Sequence, residues 1–175
     1  MIFALSVFLG ILSVANKILL FLEKKSGWLS GIASGLISGF YFWTIGLKIL
    51  GVAEFGFFLV MLYGYIRHAS PSLRATFWIN LALSILSISL CYFLFVGVLT
   101  VVETISALTF IWGGYFLAIK QKVSGWFLLM LAHATTATAS FYAGQTIFAG
   151  LQVISGLVCI YAMVISLVRA ARTPQ

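Results

Sequence analysis

The sequence predicts an all-α integral membrane protein with seven transmembrane helices in a 3+1+3 parallel-repeat arrangement. Three observations carry that reading. The 175 residues are 63% hydrophobic and only 7% charged, against about 25% charged in ordinary soluble domains, and the mean hydropathy is +1.18. The apolar residues fall into successive runs of about 20, the length that crosses a hydrocarbon core as a helix. The second half of the chain also echoes the first.

The first run, Ile2 to Leu22, closes at Glu23-Lys24-Lys25. It is read as a helix and not as a secretory leader, because no basic residue precedes its apolar stretch and no small-residue cleavage pattern follows it. The second run is Trp28 to Leu47, closed by Lys48, and the third is Ile49 to Ile66. Arg67 to Arg74 reads as the clearest loop. The fourth run is Ala75 to Phe95, and the fifth is Leu99 to Ile119, closed by Lys120-Gln121-Lys122. The sixth is Trp126 to Tyr142 and the seventh Thr146 to Val168, with a polar tail from Arg169. Gly51, Gly97 and Gly144 mark the tight joints.

Basic residues orient the helices. Lys24, Lys25, Arg67, Arg74, Lys120, Lys122, Arg169 and Arg172 lie after helices one, three, five and seven, and Lys48 alone lies on the other side. The positive-inside rule then puts the N-terminus outside and the C-terminus in the cytoplasm. The net charge of +7 is accordingly assigned to lipid headgroups. The expected partners are a small-molecule substrate, membrane lipids and, as an open alternative, further copies of the chain in a homo-oligomer. Nucleic acid is not expected, because no basic face interleaves with aromatics.

Shifting the chain by 98 residues places Lys24-Lys25-Ser26-Gly27-Trp28 on Lys122-Val123-Ser124-Gly125-Trp126, Gly46 on Gly144, Glu54 on Gln152 and Tyr63 on Tyr161. The repeat pairs helices one to three with five to seven. It divides the chain into a first bundle (1–70), a linker helix (71–98) and a second bundle (99–175). The odd fourth helix restores the orientation of the second bundle, so the two are related by an axis along the membrane normal and enclose a central path.

Polar groups within the runs are the site candidates, since an ionisable side chain in a membrane helix faces a cavity or a partner by default. Glu54 is a candidate acceptor for hydroxyls, or a residue solvated near the interface. Gln152, at the matching place, suits hydroxyls or carboxamides, or bridges helices. His133 lies in mid-helix among threonines, and Asn16 lines the path or bridges helices. Trp43, Trp112 and Tyr115 are candidate stacking platforms for a flat cargo; belt or packing roles are the alternative. Lys17 is read as snorkelling to the cytoplasmic interface, and Asn80 as structural. Trp28 and Trp126 are read as interfacial anchors. The stripe Gly31, Ser34, Gly35, Ser38 and Gly39 is assigned to close helix packing. Cys91 and Cys159 are packed or lipid-facing thiols, with no metal or disulfide spacing.

The 3+1+3 layout resembles the SWEET and PQ-loop superfamily. Within it, Gly27-Trp28 with Gly31-Ile32 and Ser34, the aromatic stretch Phe40-Tyr41-Phe42-Trp43, Ala53-Glu54 and Leu62-Tyr63-Gly64-Tyr65 resemble the PnuC vitamin transporters. The short YgjV-like inner-membrane proteins share the layout and are the second choice. The PnuC resemblance implies facilitated diffusion of a nucleoside-like vitamin, most often nicotinamide riboside, followed by phosphorylation inside the cell. No P-loop motif is present, and no cofactor or metal is expected. A SWEET-like sugar or other small-solute transporter and a non-transporting accessory protein are the alternatives. An enzyme is not expected, because Glu54, Glu103 and His133 are too sparse for a zinc-hydrolase pattern, and the last helix has no lysine for retinal.

Overall fold

The computed structural model describes residues 2–66 and 73–172. Among these the chain is entirely helical: α1 (Ile2–Phe21), α2 (Lys25–Thr44), α3 (Lys48–Ile66), α4 (Leu73–Phe93), α5 (Val98–Ala118), α6 (Lys122–Tyr142) and α7 (Thr146–Arg172). Arg67 and most of the loop expected around it, and residues 173–175 of the tail, lie outside the described residues.

Four helices, α1, α3, α5 and α7, are long and apolar enough to cross a bilayer by their own composition. The exterior agrees: Phe3, Ile11, Phe40, Trp78 and Leu157 are among many large apolar side chains that face outward. This is the surface of a membrane-embedded protein, not a soluble one.

α2 and α6 are less apolar because they carry Gly, Ser and Thr. In α2 the small residues serve contact. A Cβ on Gly35 would stand 2.9 Å from the Glu54 carbonyl oxygen, and one on Gly39 would meet the Phe55 ring at 3.0 Å. Small side chains there let α2 and α3 approach backbone to backbone. In α6 the threonine hydroxyls satisfy themselves within the helix: Thr135 donates to the Leu131 carbonyl at 2.9 Å and Thr138 to that of Ala134 at 3.0 Å.

Several ends differ from the apolar runs. α2 begins at Lys25 and α6 at Lys122, before the first tryptophan of each. Polar residues occupy their first turns, which hydropathy alone assigns to a loop. α2 stops before Leu47 because Gly46 takes φ +87°, and the Leu47 N–H returns to the Phe42 carbonyl at 2.9 Å. That is a glycine-terminated helix cap.

The same cap closes α6. Gly144 has φ +75°, and the Gln145 N–H donates to the Ser140 carbonyl at 2.8 Å. α1 and α5 end alike as well, on Glu23 (φ 55°) and Lys120 (φ 66°). There the next N–H, of Lys24 or Gln121, returns to the carbonyl of Leu19 or Phe116. The α2 and α6 caps match at a shift of 98 residues and the α1 and α5 caps at 97, so one residue is added early in α6.

Six helices pack in a closed cycle, α1–α2–α3–α5–α6–α7 and back to α1, while α4 packs outside against α3 and α5. Inside the cycle the core is layered. One apolar layer holds Leu9, Tyr41, Phe42, Leu50 and Phe148. Another holds Leu20, Trp28, Phe57, Met61, Phe110, Trp126 and Leu129. Along α1, α3, α6 and α7, buried polar residues fall between the two layers.

Candidate functional site

The polar layer begins on α1. Asn16 is fully buried and Lys17 is only 2% exposed. The Asn16 amide nitrogen donates to the Gly27 carbonyl at 2.6 Å and to the Ser30 hydroxyl at 3.2 Å. Its oxygen accepts from Lys17 Nζ at 2.8 Å. Asn16 therefore ties α1 to the first turn of α2 and turns the lysine inward. Lys17 Nζ then lies 5.4 Å from the centre of the Phe57 ring on α3, a cation–π arrangement that supplies part of what water would.

The location of Lys17 corrects the snorkelling expectation. Its depth, one turn from the end of α1, would allow the ammonium to reach the interface. Its direction around the helix forbids that, because it points into the helix cycle. Hydropathy registers depth and not direction.

Opposite Lys17 stand His133 of α6 and Gln152 of α7. His133 Nδ1 is 2.6 Å from Gln152 Oε1. With Nδ1–H as donor, Nε2 is left as an acceptor. Nε2 is buried without a hydrogen-bond partner. The Phe110 ring stands edge-on to the imidazole at 5.1 Å. Glu54 of α3 is 6% exposed and hydrogen-bonds to no described residue. Lys17 is in electrostatic reach of Glu54, His133 and the Cys159 thiol, without a direct ion pair to Glu54. Ser13 and Ser155, whose hydroxyls are 3.3 Å apart, extend the layer between α1 and α7.

A cavity of about 210 Å³ lies at the end of the cycle that carries the basic turns, with the apolar layer of Phe57, Met61, Phe110 and Leu129 between it and the polar residues. All six helices of the cycle or their turns line it, including Leu20, Trp28, Gly64, Leu117, Trp126 and Ser166. Glu23, Lys120, Lys122 and Arg169 are also part of its wall, and Glu23 pairs with Lys122 at 2.5 Å. Leu20 and Leu117, and Trp28 and Trp126, occupy matching places in the repeat. Both indoles are buried, at 8% and 2% exposure. They face this cavity and not the lipid, which corrects their reading as interfacial anchors. Gly64 makes the space for one of them, since a Cβ there would clash with the Trp28 ring.

At the opposite end two side-chain contacts tie the helices of the cycle together. The Glu103 carboxylate of α5 accepts the Ile49 and Leu50 N–H groups at 3.2 and 3.4 Å. It thus caps the N-terminus of α3, where exposed N–H groups and the helix dipole favour negative charge. The Tyr41 hydroxyl donates to Gln145 Oε1 at 3.1 Å, joining α2 to the α6–α7 turn.

Of the residues singled out from sequence, the structure brings Asn16, Glu54, His133 and Gln152 into one layer. It does not bring the three aromatic candidates there. Trp43 is 54% exposed on the outer surface. Trp112 donates its indole N–H to Ser84 of α4 at 3.0 Å, and Tyr115 packs edge-on against Trp112 at 5.5 Å. Asn80 of α4 is fully buried with its side-chain amide unpartnered. Sequence reasoning missed Lys17, whose signal was the presence of one lysine and one glutamate within otherwise uncharged stretches of the first bundle. It also missed the inward tryptophans.

The class defined by these observations is a helical membrane protein with a buried, charged layer between apolar layers. Comparison with known families, curated proteins and solved structures finds no match for the chain.

Proposed function

We propose that this protein is a passive transporter of a small polar solute with an aromatic ring, of the nucleoside-like vitamin type exemplified by nicotinamide riboside. The observation that carries the reading is the cavity of about 210 Å³ enclosed jointly by α1–α3 and α5–α7, with the Lys17–Glu54–His133 layer beyond it. A non-transporting accessory protein has no use for such a space between its halves.

The reading takes all seven helices as membrane crossings in a 3+1+3 order, with residues 1–70 and 99–175 as the two bundles and 71–98 as the linker. The matched caps at Gly46 and Gly144 and at Glu23 and Lys120 support it. So does the cyclic packing, in which the last helix of each bundle meets the first of the other. α4, outside the cycle, serves to set the second bundle parallel to the first. The cavity then opens to the cytoplasm of the bacterial inner membrane, on the side that gathers the basic residues. The end held by Glu103 and Tyr41 is the closed one. Rocking of the bundles exchanges the two.

The cavity walls fit this cargo. Paired indoles suit a flat ring, and deeper between the bundles, outside the cavity wall, the polar layer offers donors at Lys17 and acceptors at Glu54 and His133 Nε2 for ribose and amide groups. The test is uptake of labelled nicotinamide riboside, uridine and glucose into proteoliposomes down a gradient. Saturable uptake of at least one above protein-free vesicles supports transport. Uptake of none sinks it.

A further inference from the structure

The basic residues at one end of the helix cycle are not spread evenly over its turns. Lys25 lies over the Tyr65 ring at 4.4 Å. Lys120, Lys122, Arg169 and Arg172 instead gather around one open hollow of about 540 Å³ between the α5–α6 turn and the end of α7. No acidic residue stands in its wall among the described residues. Glu23, in the wall of the adjoining cavity, pairs with Lys122. Four cations against one carboxylate leave the place positive. Ammonium and guanidinium groups that converge on one space suit a phosphate.

The hollow runs on into apolar ground. Lys120, Lys122 and Arg169 also line the 210 Å³ cavity, and Phe21 lines it beside them. The guanidinium carbon of Arg169 lies 6.0 Å from the centre of the Phe21 ring. Phe21 in turn meets Tyr161 edge-on at 5.5 Å. Both rings line a groove of about 450 Å³ along the seam between α1 and α7, with Ile18, Leu22, Leu157 and Val158. Ile18, Leu22 and Leu157 are exposed there on the outer surface. Along α7 the groove runs from Ile154 to Tyr161, about 10 Å, against about 15 Å for the hydrocarbon of one leaflet.

We propose that this end of the protein binds an anionic phospholipid, with its phosphate in the basic hollow and an acyl chain in the α1–α7 groove. Charge and shape each select part of that ligand. A soluble phosphate would use the hollow alone, yet the hollow is joined to an apolar groove through Arg169 and Phe21. A neutral lipid would fill the groove and leave the cations without a partner. An anionic lipid meets both, as basic pockets beside membrane helices do. α1 belongs to the first bundle and α7 to the second, so the bound chain lies across the seam where the two meet. The site goes beyond the transport reading and does not depend on it.

The test is the thermal midpoint of the full chain in neutral detergent, titrated with phosphatidylglycerol, with phosphatidylcholine of the same chains, and with glycerol 3-phosphate. A ligand of the native state raises the midpoint. Phosphatidylglycerol is expected to raise it saturably, at a concentration at least about tenfold below that needed for phosphatidylcholine. Glycerol 3-phosphate is expected to leave it unchanged. Lys120→Gln with Arg169→Gln weakens the phosphatidylglycerol effect at least about tenfold. Lys24→Gln with Lys48→Gln removes the same charge away from the hollow and leaves the effect intact. Equal effects of the two lipids overturn the proposal, because the basic hollow then selects nothing. A rise with glycerol 3-phosphate as large as with phosphatidylglycerol also overturns it, in favour of a soluble anion. So does an equal loss in both double variants, which reduces the effect to net charge. Where the hollow variant does not fold, the wild-type series alone decides.

Discussion

His133 Nδ1 and Gln152 Oε1 stand 2.6 Å apart and join α6 to α7 in the middle of the buried layer. Removing one partner leaves the other unsatisfied in a place that water does not reach, which costs about 1–3 kcal/mol. Gln152→Leu is therefore expected to lower stability by about that much, measured as a shift of the thermal midpoint in detergent. His133→Leu combined with Gln152→Leu recovers most of the loss, since an apolar pair replaces a polar one. Transport does not recover in the double variant. A bond that only glues the helices would leave transport in the double variant intact.

Asn16 holds three groups at once, the Gly27 carbonyl, the Ser30 hydroxyl and the Lys17 ammonium. Asn16→Ala unties α1 from α2 and strips a buried amine of its one hydrogen-bond acceptor among the described residues. The expected loss is about 2–3 kcal/mol, because bonds to charged groups are the stronger ones. Denaturant unfolding in mixed micelles measures it. Asn16→Ala with Lys17→Met regains part of the loss, as the stranded charge is gone.

Lys120 sits at φ 66°, a conformation that costs a side-chain-bearing residue about 1 kcal/mol and glycine nothing. Lys120→Gly is expected to stabilise the protein by about 1 kcal/mol. Gly144, which closes α6 in the same left-handed conformation at φ +75°, gives the opposite sign: Gly144→Ala destabilises by about 1 kcal/mol or more. Paired unfolding curves check both, and equal effects of the same sign would contradict the account of these caps.

The Glu103 carboxylate reaches across from α5 to the N-terminus of α3. Glu103→Leu leaves the Ile49 and Leu50 N–H groups without it and is expected to cost about 1–3 kcal/mol. The exposed Lys122–Glu23 pair differs. With side chains 43% and 59% exposed, Glu23→Gln changes stability by less than about 1 kcal/mol. Thermal midpoints of the two variants rank them.

Much of the helix order is legible in the sequence because lipid leaves few alternatives: an apolar run of about 20 residues forms a helix or nothing. The joints at Gly97 and Gly144 are legible too, since glycine at the end of a run has a backbone reason to be there, whereas the joint expected at Gly51 falls at Gly46 and Gly51 lies inside α3, close against the α2 backbone. Lys17 is not, because the face a residue presents depends on which neighbours surround the helix, and those are set by tertiary packing. Trp28 and Trp126 illustrate the same point. An aromatic at a helix start after basic residues usually meets the interface, yet here the first turns of α2 and α6 face each other across the cavity. Glu54, His133, Gln152 and Asn16 were visible as site candidates because polar side chains are rare in such helices. Trp43 and Trp112 were not separable from the many outward aromatics on composition alone.

The most direct measurement is uptake of labelled ribosides into proteoliposomes holding wild-type protein, Lys17→Met or Trp43→Phe, against protein-free vesicles. Wild type and Trp43→Phe are expected to give the same saturable uptake, because Trp43 lies on the outer surface, while Lys17→Met loses uptake at least tenfold. Uptake by the wild type no faster than by protein-free vesicles, for every riboside offered, would contradict a transport path between the two bundles.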